Sequence, residues 1–510
     1  VLASIPSAII VGINGSEVAV EVYIGEGFPG YRIVGMPDAT CRESRDRVRA
    51  ALQISGFAWP AKGIVVNLAP ATERKSGAGL DVAIAIGVLV ASQQLAPERV
   101  AGLAFLGELG LDGSLRRLPG VAPMVDALRG YDVVVPVENA SEALVAARRR
   151  VRVAADLGEL VEALTEEADW RRVDASVGSR ERSASPPDLA DVRGQPVARQ
   201  ALEIAAAGAH NLLFVGSPGS GKTMLAQRLA GVLPPLDRDR ALETTMIHSA
   251  AGLRLPPEGV VEHPPFRAPH HTTTTVALVG GGSLQLRPGE LSLAHNGVLF
   301  CDELGEFSRS ALEGLREPLE EGSIRIARAN VRAVLPARFL LVAATNPCPC
   351  GGGPPGACQC DDTARARYLR RLSGPLADRF DLRVVVHRPS VDDLLGDEAG
   401  EPSAVVRERV VAARAVALER GGKLNAELGA DELDSIAPLT DEARGVLRGE
   451  MERDRLTGRG YHRIRRVART IADLRRPGDA LVGVDDVEVA LSMRAALPRT
   501  IVAERTRWIA

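Results

Sequence analysis

Residues 211–231, NLLFVGSPGSGKTMLAQRLAG, join an apolar strand, the turn GSPGSGKT and the start of an amphipathic helix. That is the full context of a phosphate-binding Walker A loop and not only its letters. Gly216, Gly219 and Gly221 let the backbone turn its N–H groups toward phosphates, Ser217, Pro218 and Ser220 complete the loop, and the helix N-terminus adds the positive end of its dipole. Lys222 then supplies a point charge for the β- and γ-phosphates, and the Thr223 hydroxyl a ligand for Mg2+. Downstream, NGVLFCDELGEF (296–307) reads as a buried strand, with Cys301 in the core, ending in two carboxylates. Asp302 is placed to hold Mg2+ and Glu303 to polarise an attacking water, the division of labour that transfer of a γ-phosphoryl group to water requires. The same pair also reads as the cap of a following helix; the phosphate loop upstream favours the catalytic reading. A further apolar strand, RFLLVAATN (338–346), ends in Asn346, a polar tip suited to orienting the lytic water, and SGPLADRFDL (373–382) puts Arg379 at the end of a helix. Taken alone, these two read equally as a buried structural Asn and a surface Arg.

Four of the six cysteines, Cys348, Cys350, Cys358 and Cys360, crowd into NPCPCGGGPPGACQCDD as C-x-C, seven residues, C-x-C. In a reducing compartment that crowding points to a metal more than to disulfides. Four thiolates on a Gly/Pro loop suit a closed, structural Zn2+ site, although C-x-C is tighter than the usual C-x2-C; thiols without a metal are the alternative. His270 and His271, with His263 nearby, have no carboxylate or Cys at ligand spacing, so contacts to backbone or DNA outweigh a metal role.

These groups need elements to hold them. At 510 residues the chain has room for about three domains, each able to bury its own core without staples. With 62 Lys+Arg against 65 Asp+Glu the net charge is −3, so any polyanion site must be local. From residue 8 to about 165 short apolar runs alternate with helical stretches: EVAVEVYI sets Val18, Val20, Val22 and Ile24 on one strand face, GIVVNL is a short buried run, and Asp38 or Thr40 caps the helix through RESRDRVRAALQ. Residues 166–190 are rich in charge, Ser and Pro without apolar period, the composition of a linker. Residues 191–390 return to strand and helix alternation, and 391–510 are more uniformly helical, with helices expected at AVVRERVVAARAVALE and RIRRVARTIADLRR. The stretch Val82–Ala91 is short of the roughly 20 residues that span a bilayer, and 339–360 is broken by Asn346 and a Gly/Pro cluster. The opening VLASIPSAIIVGING lacks a basic n-region and a cleavage pattern. A cytoplasmic protein with no membrane contact is expected.

The order GSPGSGKT, LFCDE, ATN, GPLADRFD and then an Arg-bearing helical lid resembles an AAA+ ATPase. More narrowly, DVRGQ (191–195), PFRAPHHT (265–272), RPGELSLAHNGVLFCDELGEF (287–307) and YHRIRRVARTIADL (461–474) resemble the magnesium-chelatase-like ComM/YifB family, over nearly the whole chain. The resemblance implies an α/β fold: a P-loop AAA+ core with a parallel sheet and helical lid, preceded by an α+β domain like that of the Lon protease (ribosomal S5-like). It makes Asn346 the sensor 1 residue, Arg379 an arginine finger completing a neighbour's site, and Arg463 the sensor 2 residue on the lid, with Arg466 a rival. A finger acting across subunits implies a homo-oligomer, a hexamer for this class. It further implies an inserted helix-hairpin between the Walker motifs and a second hairpin around SIRIARANVRAVLP (323–336), both facing a central pore. Arg325, Arg328 and Arg332 alternate there with apolar residues as a cationic edge for tracking phosphates, or equally as a solvated strand edge that resists aggregation.

RKSGAGLDVAIAIGVL (74–89) and FLGELGLDGSLRRLPGV (105–121) carry the Lon likeness and also depart from it. Gly77 falls at the nucleophilic serine and Ala122 near the catalytic lysine; neither can do that chemistry, and no lysine between residues 76 and 221 is available to activate the adjacent Ser76. The domain is expected to be a ring-forming scaffold or a DNA-facing module. The family implies an ATP- and Mg2+-dependent motor on branched or single-stranded DNA, promoting branch migration during natural transformation. Two other classes stay open: the ATPase subunit of a metal chelatase inserting Mg2+ into a porphyrin, against which the first domain is expected to discriminate, and an AAA+ remodeller of proteins.

Overall fold

The described residues up to 173 build a four-stranded sheet, a three-stranded sheet and a two-residue pairing of Glu108–Leu109 with Leu115–Arg116, around two cores. Strand β1 (Leu2–Val11) turns into β2 (Asn14–Gly25), which pairs with β4 (Gly63–Ala69); β3 (Gly30–Val34) lies parallel to β4, giving a mixed sheet of order β1-β2-β4-β3. The alternation along β2 is the reason for its burial: Val18, Val20, Val22 and Ile24 all face the core. Helix α1 (Ala39–Ile54) starts at Asp38, whose carboxylate accepts from the Cys41 N–H at 2.7 Å. Helix α2 (Asp81–Ala91) is apolar all round and accordingly buried along its whole length. Its Gly87 permits the close approach to β2, since a Cβ there would meet Val22 Cγ2 at 2.5 Å. Strand β5 (Leu103–Phe105), helix α3 (Val121–Ala127), strand β6 (Asp132–Pro136), helix α4 (Ala140–Ala146) and strand β7 (Val151–Ala154) form a second, parallel layer of order β5-β6-β7.

This computed structural model describes residues 2–494 apart from 26–27, 73, 174–185, 283–285, 329–330, 353–357, 359, 362, 365–367, 369–373 and 396–399. Of the expected linker, 174–185 thus lie outside the described residues. Its flanks are folded: Trp170 packs on the core of the four-stranded sheet with the Arg152 guanidinium over its ring, and Leu189 is buried in the core of the following five-stranded sheet, its N–H donating to Ser403 Oγ at 2.7 Å.

Helix α5 (Pro196–Gly208) leads into a five-stranded parallel sheet made of β8 (Leu212–Val215), β9 (Phe266–Arg267), β10 (Val298–Cys301), β11 (Leu340–Thr345) and β12 (Leu382–Val385), in the order β9-β10-β11-β8-β12. The three central strands, β8, β10 and β11, are buried on both faces because both faces are covered. Leu212, Phe214, Val298, Phe300, Val342 and Ala344 join one cluster, while Leu213, Val215, Leu299, Cys301, Leu341 and Ala343 join the other. Cys301 is fully buried, which pushes its thiol up to about 12. The first cluster continues without a break into the C-terminal helices α6 (Ser403–Gly421), α7 (Asp441–Glu452), α8 (Gly458–Arg475) and α9 (Val484–Ser492), so these helices and the sheet share a core. The second cluster takes in a hairpin whose strands, Ser323–Arg328 and Val331–Pro336, pair antiparallel, with Ile324, Ile326 and Leu335 buried. Arg325 is exposed on it beside Glu321; the side chains of Arg328 and Arg332 lie outside the described residues. Between the two Walker motifs the chain forms helices Arg238–Ala250 and Thr275–Val279 and a two-residue pairing of Gly280–Gly281 with Arg287–Pro288. Among the described residues no helix is long and apolar enough to cross a membrane.

A buried polar knot joins the first unit to the sheet unit. Glu142 accepts from the N–H groups of Val121 (2.9 Å) and Ala122 (3.3 Å), and from Ser249 Oγ (2.5 Å) on the helix Arg238–Ala250. A carboxylate at the first turn of α3 satisfies amides that no helical acceptor can reach.

Candidate functional site

All five strands of the sheet run the same way, so it has one carboxyl edge and one amino edge. The sequence segments after β8, β10 and β11 converge at the carboxyl edge. Past β8, Gly219 and Gly221 adopt left-handed backbone (φ +74° and +92°), and a helix begins at Lys222, running Lys222–Val232. Gly216 is confined by its neighbour, since a Cβ there would fall 2.3 Å from the Val386 carbonyl oxygen. Lys222 Nζ donates to the carbonyls of Gly216 (2.7 Å) and Ser217 (3.0 Å) and to Asn346 Oδ1 (3.2 Å), the residue just past β11. Burial lowers the pKa of this ammonium, opposed by the nearby charges of Asp302 and Glu303. Thr223 Oγ1 donates to Asp302 Oδ2 at 2.7 Å, across 79 positions of sequence. A hydroxyl and a carboxylate at the mouth of an amide-lined loop are the oxygen donors that Mg2+ on a nucleotide takes. The Ser220 hydroxyl is buried inside the same loop with no hydrogen-bond partner among the described residues, a polar atom left for a ligand to satisfy. The donor set fits a magnesium nucleotide.

Glu303 sits in the left-handed region at φ +51°, an uncommon place for a residue with a Cβ and one that recurs where a side chain is aimed for function. Its carboxylate lies 3.3 Å from His271 Nδ1, and the His271 ring packs beside His270 with centroids 4.0 Å apart. His270 in turn contacts Thr272 Oγ1 at 2.8 Å. The histidine pair is thus turned to the carboxylate of the site, a contact that the sequence reading missed. Gln195, from DVRGQ, was missed too: its Nε2 donates to the carbonyls of Ser220 (3.3 Å) and His387. Arg388 donates to the Pro218 carbonyl at 3.3 Å, and Tyr368 Oη lies 3.2 Å from Thr345 Oγ1, behind Asn346. Gln195 and the histidine pair were signalled only by their presence in DVRGQ and PFRAPHHT, and Arg388 and Tyr368 lay in no motif; which atom each touches depends on the sheet. His271→Ala is expected to lower kcat for ATP about tenfold with little change in KM, because it aims Glu303 without binding nucleotide; steady-state kinetics beside His271→Asn, which keeps a polar partner, checks it.

The basic residues are elsewhere. Arg379 and Asp381 precede β12, and Asn211 precedes β8, so they mark the amino edge, roughly 10–13 Å of strand away from Lys222. A groove of about 1070 Å³ there is lined by Arg379, Arg463, Arg466 and Arg414 together with Asp381 and Glu320. Arg463 donates to Asp381 Oδ1 at 2.9 Å, Asp381 Oδ2 accepts from the Asn211 N–H at 3.2 Å, and Arg379 pairs with Glu320. Burial, and then the like charges of Arg463, Arg459 and Arg316, lower the Arg379 pKa. Burial pulls the Asp381 carboxyl up, but the His210 contact and the charges of Arg463 and Arg466 outweigh it and hold the group below the usual carboxylate range. The structure therefore groups Lys222, Thr223, Asp302, Glu303 and Asn346 at one edge and Arg379, Arg463 and Arg466 at the other. It does not bring the two groups together within one chain.

Beyond Asn346 the sulfurs of Cys348, Cys350, Cys358 and Cys360 lie within 4.8 Å of one another, with no disulfide. In the first unit, Gly77 occupies a left-handed turn (φ +88°) and Ala122 is buried in the first turn of α3, in the knot with Glu142 and Ser249.

Comparison with known proteins covers the chain in three pieces. The family described as magnesium chelatase, subunit ChlI, matches residues 188–394; that described as subunit ChlI of Mg-chelatase matches 20–139; and that described as the C-terminal part of the same subunit matches 400–494. The description over 20–139 means that the first unit does not by itself separate a chelatase from other members. The competence protein ComM of Haemophilus influenzae is 42% identical over 501 residues, 97% of this chain and 97% of its own. An uncharacterized protein YifB of Escherichia coli is 42% identical over 467 residues, 91% of each chain. A probable DNA helicase, MCM9, of Arabidopsis thaliana is 28% identical over 233 residues, 46% of this chain and 28% of its own.

Proposed function

The chain belongs to the magnesium-chelatase-like ComM/YifB family, and on that footing we propose that it is an ATP-hydrolysing AAA+ motor, assembled as a homohexameric ring, that moves branch points in DNA during recombination and natural transformation in the cytoplasm. The observation that carries the ATPase part is the meeting of three separate segments at the carboxyl edge, where Thr223 contacts Asp302 and Lys222 contacts Asn346.

Each side chain has a task that its geometry permits. Lys222 leaves the loop carbonyls for the β- and γ-phosphates, exchanging neutral partners for anionic ones. Thr223 and Asp302 would hold Mg2+, which when bound would neutralise phosphate charge. Glu303, aimed by His271, accepts the proton of the attacking water, and Asn346 orients that water. The missing positive charge for the transferred group is Arg379, with Arg463 beside it. Because these arginines line the amino edge, they serve a site on the next subunit and not their own. Head-to-tail contacts of that kind close into rings, so the oligomer is part of the active site. The first unit is read as a Lon-like scaffold without protease chemistry, given Gly77 and Ala122.

For DNA as substrate the support is the full-length likeness to a competence protein, the partial likeness to a probable DNA helicase, and the exposed Arg325 on a hairpin of the sheet unit. The magnesium-chelatase descriptions of all three matched families favour a second reading, the ATPase subunit of a metal chelatase; remodelling of a protein is a third. A labelled four-way junction with a homologous core separates them. Conversion to forked duplexes that needs ATP and is lost in Lys222→Ala supports the proposal. Absence of conversion, together with ATPase stimulation by a porphyrin-binding partner, would replace it with the chelatase reading.

A further inference from the structure

The four cysteine sulfurs form a compact set. Cys348 and Cys350 are 3.3 Å apart at Sγ, Cys348 and Cys358 3.3 Å, Cys350 and Cys358 3.4 Å, and all four lie within 4.8 Å. A tetrahedral ion with metal–sulfur bonds of about 2.3 Å sets its sulfurs roughly 3.8 Å apart, within this range. Polynuclear iron–sulfur clusters, with sulfides between their irons, need their thiolates spread more widely. The arrangement therefore suits one ion, and a closed set of four thiolates is the donor set of structural Zn2+ sites.

The position of the set matters as much as its geometry. Cys348 is two residues past Asn346, the side chain that accepts from Lys222 at 3.2 Å. Gly351, closing the turn that starts at Cys348, lies against the phosphate loop so closely that a Cβ would fall 2.7 Å from Cγ and Cδ of Pro218. Gly352 backs onto the same cluster, its Cβ position 2.8 Å from Cys348 Sγ. The cysteine turn thus touches the nucleotide loop at two points, through Asn346 on Lys222 and through Gly351 on Pro218.

We propose that Cys348, Cys350, Cys358 and Cys360 bind one Zn2+ as four thiolates, and that this ion clamps the turn carrying Asn346 against the phosphate loop so that nucleotide affinity depends on it. The four thiols lose their protons as the ion binds, and no electron is transferred. A bound ion would tie Cys348 and Cys350, on either side of the turn at 348–351, to Cys358 and Cys360, and so hold Asn346 and Gly351 in register. The proposal rests on the nucleotide-site reading above and deepens it.

Metal content is read first, on the full-length chain purified without a metal-affinity step. About one zinc per chain and no iron is expected; iron, or no metal with four titratable thiols, overturns the site. Zinc is then removed with a chelator, and the affinity for a fluorescent ATP analogue is measured in parallel with thermal unfolding. A loss of about tenfold or more that added Zn2+ restores and Mg2+ alone does not is expected; unchanged affinity in the zinc-free, folded chain overturns the clamp. Gly351→Ala keeps every thiol while forcing the turn off Pro218, so it is expected to retain zinc and still bind the analogue several-fold more weakly; retention of both overturns the contact. Lys222→Ala separates the two readings, because it should hold zinc normally whatever happens to nucleotide. Zinc-loaded wild-type chain that fails to bind the analogue at all would sink the nucleotide reading and the clamp built on it, leaving the metal site standing.

Discussion

Lys222→Ala is expected to lower ATP turnover about 10² to 10³-fold or more, the range lost when one preorganised positive donor is removed from a site where charge develops. The ammonium is buried among the Gly216 and Ser217 carbonyls and Asn346, so its removal takes the positive charge out of the centre of the loop. The fold should not suffer. The side chain begins a helix and spans no core cluster, and removing it relieves a desolvated charge that burial already disfavours. Steady-state turnover measured alongside circular dichroism separates loss of chemistry from loss of structure; near-normal turnover would refute the Walker A assignment.

Arg379→Ala is expected to retain nucleotide binding and to lose hydrolysis by about 10³ to 10⁵-fold, the usual worth of an arginine finger. The mixing experiment is the stronger form of this prediction. A subunit carrying Arg379→Ala still offers an intact Glu303, and one carrying Glu303→Gln still offers an intact Arg379. Each pure ring lacks a working site, but where the first type meets the second in the right order both groups face one nucleotide. Random equimolar rings have about a quarter of their junctions in that state, so activity should reappear on mixing. No recovery at any ratio would place the finger and the glutamate in one chain. That outcome would contradict the separation of Arg379 and Asn346 to opposite edges of the sheet.

What the sequence disclosed followed from how local each feature is. The phosphate loop was legible because strand, glycines, Lys222 and helix are contiguous over residues 211–231. Val18, Val20, Val22 and Ile24 were legible because a period of two has one structural meaning, and the two C-x-C pairs because thiol spacing is itself a pattern. The contact of His271 with Glu303 was not, since it joins a segment after β9 to the end of β10 and depends on those strands being neighbours. Nor was the edge on which Arg463 falls. That is set by α8 packing into the same core as α5 and the sheet, which leaves Arg463 on Asp381 at the amino edge. The motif over 461–474 marked the residue as important without giving its direction. Gln195 and Arg388, which hold the phosphate loop through backbone carbonyls, had no side-chain signature at all.

Steady-state ATP hydrolysis with and without a four-way junction, at two salt concentrations and with Lys222→Ala as blank, tests the DNA motor most directly. Turnover should rise on adding the junction, and the rise should shrink at the higher salt, because contacts to phosphates release counterions and weaken as salt increases. Turnover that is robust in the wild-type chain, absent in Lys222→Ala and indifferent to every DNA at both salts would contradict a DNA motor while leaving the ATPase intact.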